Sequence, residues 1–206
     1  MLQLNKLKSQ ASPYWDSLAR VYHASFPIDE QRPIEDIARL IEEDARFVAY
    51  AITDEKDERD ELNKKNELGE KNEQGKQHNR NEQITFVGLL TTWHFTEFIY
   101  IEHFAIAPDL RSQGYGAEAL GTFIAEQQCP IILEAEPPTD DMALRRIGFY
   151  QRCGLTLYDY PYIQPAYTPT SNPVALRLMG TIDTATTPLA HVSKTLHREV
   201  YGLARG

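Results

Sequence analysis

The stretch Tyr100–Leu120, YIEHFAIAPDLRSQGYGAEAL, holds the residues whose types and spacing point most directly to chemistry. A β-branched and aromatic run enters a turn, and Arg111, Ser112, Gln113, Gly114, Tyr115, Gly116 and Ala117 lead into a helical pattern. Glycines at 114 and 116 let a ligand come close to the backbone. The N–H groups of a first helical turn have no partner within their own helix, and the helix dipole adds positive character there. Such a turn suits an anion and is well shaped for a pyrophosphate. Arg111 adds a cation with bidentate reach to phosphate oxygens. The pattern is not the Gly-x-Gly-x-x-Gly dinucleotide fingerprint, and no Gly-Lys-Ser/Thr follows it. Taken alone, Arg-x-x-Gly-x-Gly also fits a tight strand-to-helix turn with no ligand. Glu102 stands on the strand before the turn, where alternation predicts Glu102, Phe104 and Ile106 on one face and His103 on the other.

These residues need elements to hold them. Phe98–Ala107 reads as a strand, and Gly114–Gln127 as a helix burying Ala117, Leu120, Ile124 and Phe123. Ile131–Glu136 (IILEAE) is a short strand carrying Glu134 and Glu136, and Met142–Cys153 is a helix stopped by Gly154. Strands are expected around Leu155–Tyr162 and Val174–Gly180. Upstream, Pro13–Ser25 and Pro33–Glu43 have helical spacing, with Ser12 as N-cap of the first. Arg46–Thr53 and Ile84–His94 are β-rich and predict a hairpin. Between them, residues 54–83 hold 10 acidic and 7 basic side chains and two apolar ones, Leu62 and Leu68. A segment so poor in apolar groups cannot offset its ordering entropy by burial. It is expected to be a solvated, flexible insertion. Leu189, Val192, Leu196 and Val200 predict a closing amphipathic helix at about 188–202. Strand–helix–strand–helix–strand after a hairpin makes a mixed α/β sheet.

With HFAIAPDLRSQGYGAEAL, IILEAE and GFYQRCGL in this order, the chain resembles the GNAT superfamily of N-acetyltransferases. The resemblance covers about residues 46–180, interrupted by the charged segment. It implies one GNAT-like domain over residues 1–206: a mixed, mainly antiparallel sheet of about six to seven strands, flanked by helices, with an added C-terminal helix. It implies acetyl-CoA, or another acyl-CoA, as co-substrate, with the pyrophosphate on the turn Arg111–Ala117. Phe104, Ala105 and Ile106 would offer backbone groups to the cofactor's arm and reacting carbonyl, where the strands are expected to splay. Tyr150 matches the family's helix tyrosine; a phenol titrates near 10 and can give a proton to a leaving thiolate. Glu102 matches a strand carboxylate near the reaction centre, the candidate base, with Glu134 and Glu136 competing for that role or binding a cationic acceptor. Glu30, in FPIDEQR, sits where relatives shape the acceptor site. Two positions depart from the pattern: Ala143 where many relatives have Asn, and Leu155 where an aromatic ends the motif.

The chain has 206 residues, 30 acidic and 21 basic side chains, and a net charge of −9. That acidity disfavours nucleic acid. No apolar run is long enough for a membrane helix, and no signal-peptide pattern opens the chain. Cys129 and Cys153, the two cysteines, make no metal-ligand spacing, so no metal is expected, and a reduced cytoplasmic setting is. The reading is an acyl-CoA-dependent N-acyltransferase whose partner is a small-molecule or peptide amine, compatible with a homodimer. The alternative is a non-catalytic acyl-CoA-binding module.

Overall fold

The computed structural model describes residues 1–56 and 83–203. Seven strands form one sheet in the order β1-β2-β3-β4-β5-β7-β6. They are β1 (Leu2–Lys6), β2 (Phe47–Lys56), β3 (Gln83–His94), β4 (Ile99–Ile106), β5 (Ile131–Ala135), β6 (Thr156–Gln164) and β7 (Val174–Gly180). All neighbours pair antiparallel except β4 and β5, which are parallel. A parallel pair needs a crossover, and here α3 (Tyr115–Glu126) supplies it. The other long helices are α1 (Trp15–Ser25), α2 (Ile34–Glu43), α4 (Asp141–Arg152) and α5 (Leu189–Glu199).

The sheet buries both faces. Leu18, Val21 and Tyr22 of α1, Ile37 and Leu40 of α2, and Val192 and Leu196 of α5 pack on one face against Phe47, Leu89, Trp93 and Tyr100. Leu120 and Phe123 of α3 and Ile147 and Tyr150 of α4 cover the other, against Ile52, Leu90, Ile99, Ile101 and Leu133. This two-sided burial explains the near-continuous apolar runs of the central strands.

Three local differences from the sequence reading have simple causes. β1 was not anticipated; its five residues alternate too briefly to stand out, and its register is supplied by β2, with Leu4 opposite Ile52. The hairpin ladder continues to Lys56 opposite Gln83, so Asp54 and Glu55 belong to the strand rather than to the charged insertion. The rest of that insertion, 57–82, lies outside the described residues. The first helix starts at Trp15 with Tyr14 as N-cap, not at Pro13 with Ser12. The helix bearing Tyr150 is capped by Asp140, whose carboxylate accepts from the N–H groups of Met142 and Ala143.

Gly88 of β3 lies opposite Ile106, and a Cβ there would overlap the carbonyl oxygen of Ala105. That carbonyl cannot yield without parting β3 from β4. Gly88→Ala is therefore expected to destabilise the fold by about 1–3 kcal/mol, read from the shift of a chemical-denaturation midpoint.

Among the described residues no helix is long and apolar enough to cross a membrane.

Candidate active site

The ladder between β4 and β5 stops early. Ile99, Tyr100 and Ile101 pair with Ile131, Ile132 and Leu133, and among the described residues the ladder goes no further. The splay expected from the sequence is thus present, at the carboxyl ends of the two parallel strands, where α/β sheets commonly bind ligands. A cleft of about 860 Å³ opens there. Of the residues singled out above, Glu30, Glu102, Phe104, Ala105, Ile106, Arg111, Ser112, Gly114, Gly116, Ala117, Glu134, Glu136 and Tyr150 all line it. Gln113 and Tyr115 do not: their side chains turn to Asp109 O and to the Asp54 carboxylate, at 3.2 and 3.1 Å.

The glycine turn has the geometry of an anion cradle. Gly114 caps α3 in the left-handed region at φ 91°, after Ser112 at φ 64°. The N–H groups of Ser112 through Gly116 have no acceptor among the described residues. A Cβ on Gly116 would touch the Phe149 ring at 3.4 Å, whereas one on Gly114 would stand in open space. Phe149 in turn lies nearly parallel to Phe104, with ring centroids 6.5 Å apart. Arg111 lines the cleft beside this turn. Its Nε donates to Ile106 O at 3.1 Å and a terminal nitrogen donates to Ser25 Oγ at 3.0 Å, so the guanidinium fork ties the end of β4 to α1. These two bonds leave the other terminal nitrogen without an acceptor among the described residues, on a side chain that lines the cleft.

The carboxylates correct an expectation. Thr91 faces His103 and Thr92 faces Ile101, which leaves Glu102 as an extra residue in β4. A β-bulge of this kind breaks side-chain alternation. Glu102 therefore parts from Phe104 and Ile106 and points, with His103, to the α1 side. Phe104 and Ile106 pack with the α3 and α4 side instead. Glu102 Oε1 accepts from Arg32 Nε and a terminal nitrogen at 3.0 and 2.6 Å and from Tyr167 Oη at 2.9 Å, and Oε2 accepts from Trp93 Nε1 at 2.9 Å. Its side chain is 0% exposed. Burial opposes its charge, but the Arg32 guanidinium overrides burial and holds the carboxyl below its ordinary value. His103 is likewise committed: Nε2 donates toward Glu30 O at 3.1 Å, leaving Nδ1 to accept from Thr91 Oγ1 at 3.1 Å. Burial pushes the ring's pKa down, so it stays neutral.

Glu134 is in a different state. It points to the same sheet face, beside Tyr100, Glu102, Tyr162, Tyr167 and Tyr201, with no cation among the groups acting most strongly on it. Burial raises it to about 7, against the opposing effect of the phenols. A carboxyl poised there can take a proton at neutral pH. Glu136 is ion-paired with Arg146. Burial, and next the charge of Glu136, raise Glu30, so these two carboxylates of the cleft lie within mutual influence.

Tyr150 is 9% exposed, on α4, and its hydroxyl makes no hydrogen bond among the described residues. Burial raises the phenol to about 12, with Arg146 opposing, so it is protonated at neutral pH. Burial also raises the Cys153 thiol, which leaves it a poor nucleophile. Ala143 and Leu155, the two departures from the pattern, are buried at 3% each as packing residues. No three His, Cys, Asp or Glu among the described residues form a group that could hold a metal ion. The sequence reading gave no role to Arg32, Trp93 or Tyr201; they come from three separate segments, and no local spacing relates them.

The model for the acetyltransferase (GNAT) family matches residues 15–155. The chain belongs to the GNAT acetyltransferase family. A GNAT-family acetyltransferase of Bacteroides thetaiotaomicron resembles it over nearly the whole length, at 27% identity and a TM-score of 0.77, covering 98% of this chain and 99% of that one. More distant solved structures share the GNAT fold alone. The ribosomal-protein-S18-alanine N-acetyltransferase of Escherichia coli has 13% identity and a TM-score of 0.51, covering 87% of this chain and 92% of that one. The spermidine N-acetyltransferase of Vibrio cholerae, described as dodecameric, has 9% identity and a TM-score of 0.51, covering 92% and 98%. No curated protein matches this GNAT chain in a sequence comparison. In it, β6, β7 and α5 lie beyond the matched segment, and they bring Tyr162, Tyr167 and Tyr201 to the carboxylates.

Proposed function

We propose that this chain is an N-acetyltransferase that uses acetyl-CoA and transfers the acetyl group directly to a primary amine, both bound together in the β4–β5 cleft. The observation that carries the reading is the joint lining of one cleft by an N–H-rich glycine turn, a carboxyl poised near neutrality and a protonated phenol. Acetyl-CoA supplies the acetyl group as a thioester. The backbone of Ser112 through Gly116 fits its pyrophosphate, because those N–H groups lack acceptors. Phe104, Ala105 and Ile106 border the splay with strand edges free of a ladder to β5. Glu134 accepts the proton of the attacking amine, and Tyr150 Oη holds the proton for the departing sulfur. Glu134 suits the base role better than Glu102, whose four hydrogen bonds and Arg32 partner keep it ionised and enclosed. Glu30 and Glu136 favour a cationic acceptor, a small molecule or a peptide amine. A cytoplasmic setting fits the cysteine usage.

The deciding experiment incubates the protein with acetyl-CoA and a panel of polyamines, aminoglycosides, amino acids and peptide amines, and reads free thiol. Amine-dependent thiol release supports the reading. Coenzyme A binding with no turnover across the panel supports the non-catalytic binding module instead, and no binding overturns both. The cradle has its own test. Gly114→Ala places a methyl in protein-free space, at a backbone strain of about 1–2 kcal/mol. Coenzyme A affinity is expected to fall about tenfold or more, each tenfold being 1.4 kcal/mol. Calorimetry on the folded variant checks it, and undiminished affinity removes the turn from the site.

A further inference from the structure

The C-terminal helix ends inside the proposed catalytic region. α5 stops at Glu199, and Val200 O accepts from the Arg32 guanidinium at 3.0 Å, the same guanidinium that holds Glu102. Arg46 adds a second tie, to Glu199 at 2.8 Å. Val192, Leu196 and Val200 are buried at 5% exposure or less, so the helix cannot swing away without opening the core. This anchoring delivers Tyr201. Its hydroxyl lies 3.1 and 3.2 Å from the two Glu134 carboxylate oxygens and 3.1 Å from Tyr100 Oη. Tyr167 Oη is at 3.5 Å and donates in turn to Glu102.

We propose that Tyr201 is a positioning residue for the reaction, fixing the Glu134 carboxyl as the acceptor of the amine's proton. This rests on the reading of Glu134 as the base. A side chain with three rotatable bonds at a strand end holds one orientation only if something grips it, and among the described residues Tyr201 makes the hydrogen bonds in normal geometry to this carboxylate. The same contact biases the proton equilibrium. With Glu134 ionised, Tyr201 donates to it and Tyr100 can donate to Tyr201 in relay. With Glu134 protonated, that chain reverses and loses its charge assistance. Hydrogen bonds to a charged partner are about twice as strong as neutral ones, so Tyr201 favours the ionised form. The remaining groups facing Glu134 are Tyr100 and Glu102 on β4, Tyr162 on β6 and Tyr167 on the loop after it. Glu102 opposes ionisation by its charge. Tyr162 also favours the ionised form, but its buried hydroxyl has no hydrogen-bond partner in normal geometry, so the geometric grip on the carboxylate is that of Tyr201.

Protein labelled with 13C at glutamate carboxyls reads the effect directly, with Glu134→Gln assigning the resonance. In Tyr201→Phe the Glu134 midpoint is expected to rise by about one pH unit above its starting value. Tyr100→Phe, which removes the next phenol in the chain, should move it less in the same direction. With an amine from the panel, the acidic limb of the kcat/KM profile should move with the NMR midpoint. The rate lost at pH 7 should return at higher pH. A merely structural role would lower the rate alike at all pH values. An unmoved midpoint in folded Tyr201→Phe overturns the positioning role. A Glu134→Gln variant that keeps full activity overturns the base assignment instead, so the two failures are distinguishable.

Discussion

Glu134→Gln is expected to lower kcat by about 10²–10⁴-fold, the range for loss of one general base, while leaving coenzyme A affinity intact. Gln keeps the shape and can still accept from Tyr201, so the deficit is that of the proton acceptor alone. The same variant should be more stable than the parent in alkaline buffer. The folded carboxyl is raised to about 7, whereas an unfolded glutamate titrates near 4.3. A raised group contributes stability that is fully present below the unfolded value and lost as pH rises through the folded one. Above pH 7 the parent carries a buried carboxylate that Gln lacks. The gain at pH 8 is about 1–3 kcal/mol, at 1.36 kcal/mol per pKa unit with allowance for partial solvent access, and should vanish near pH 4. Denaturation series at both pH values test the sign. Undiminished turnover would return the base role to another group; equal stability at pH 8 would show that Glu134 is ionised without cost.

Tyr150→Phe is expected to cut kcat by a similar factor, about 10²–10⁴, with cofactor binding nearly unchanged. The ring stays packed against Ile147 and Leu155. Because the hydroxyl makes no hydrogen bond among the described residues, its removal strands no partner, and thermal unfolding should move little. The phenol, raised to about 12 by burial, is a proton donor over the whole neutral range, so the loss should not depend on pH between 6 and 9. Parallel loss of affinity and rate would recast Tyr150 as a cofactor contact, since uniform binding changes KM rather than kcat. Full activity in Phe would leave water as the proton donor.

Local patterns determined much of this protein. Period-2 and period-3.6 runs placed β2 through β7 and all five helices within a few residues, because a buried face imposes its spacing on the chain. The glycine turn and its free N–H groups were legible for the same reason: only glycine readily takes the conformation at Gly114. The acetyltransferase family was legible in three motifs. Tertiary structure decided what each polar side chain does. One extra residue in β4 undid the alternation that aligned Glu102 with Phe104, a slip fixed by pairing with β3 and invisible in β4's own sequence. Arg111 acquired tertiary partners in Ile106 O and Ser25 Oγ. Glu102 and Glu134 are the same residue type on neighbouring strands, yet one meets Arg32 from 70 residues upstream and the other meets Tyr201 from 67 residues downstream. A carboxyl's proton affinity depends on the charges, donors and water around it, and those arrive from distant segments only when the chain closes on itself.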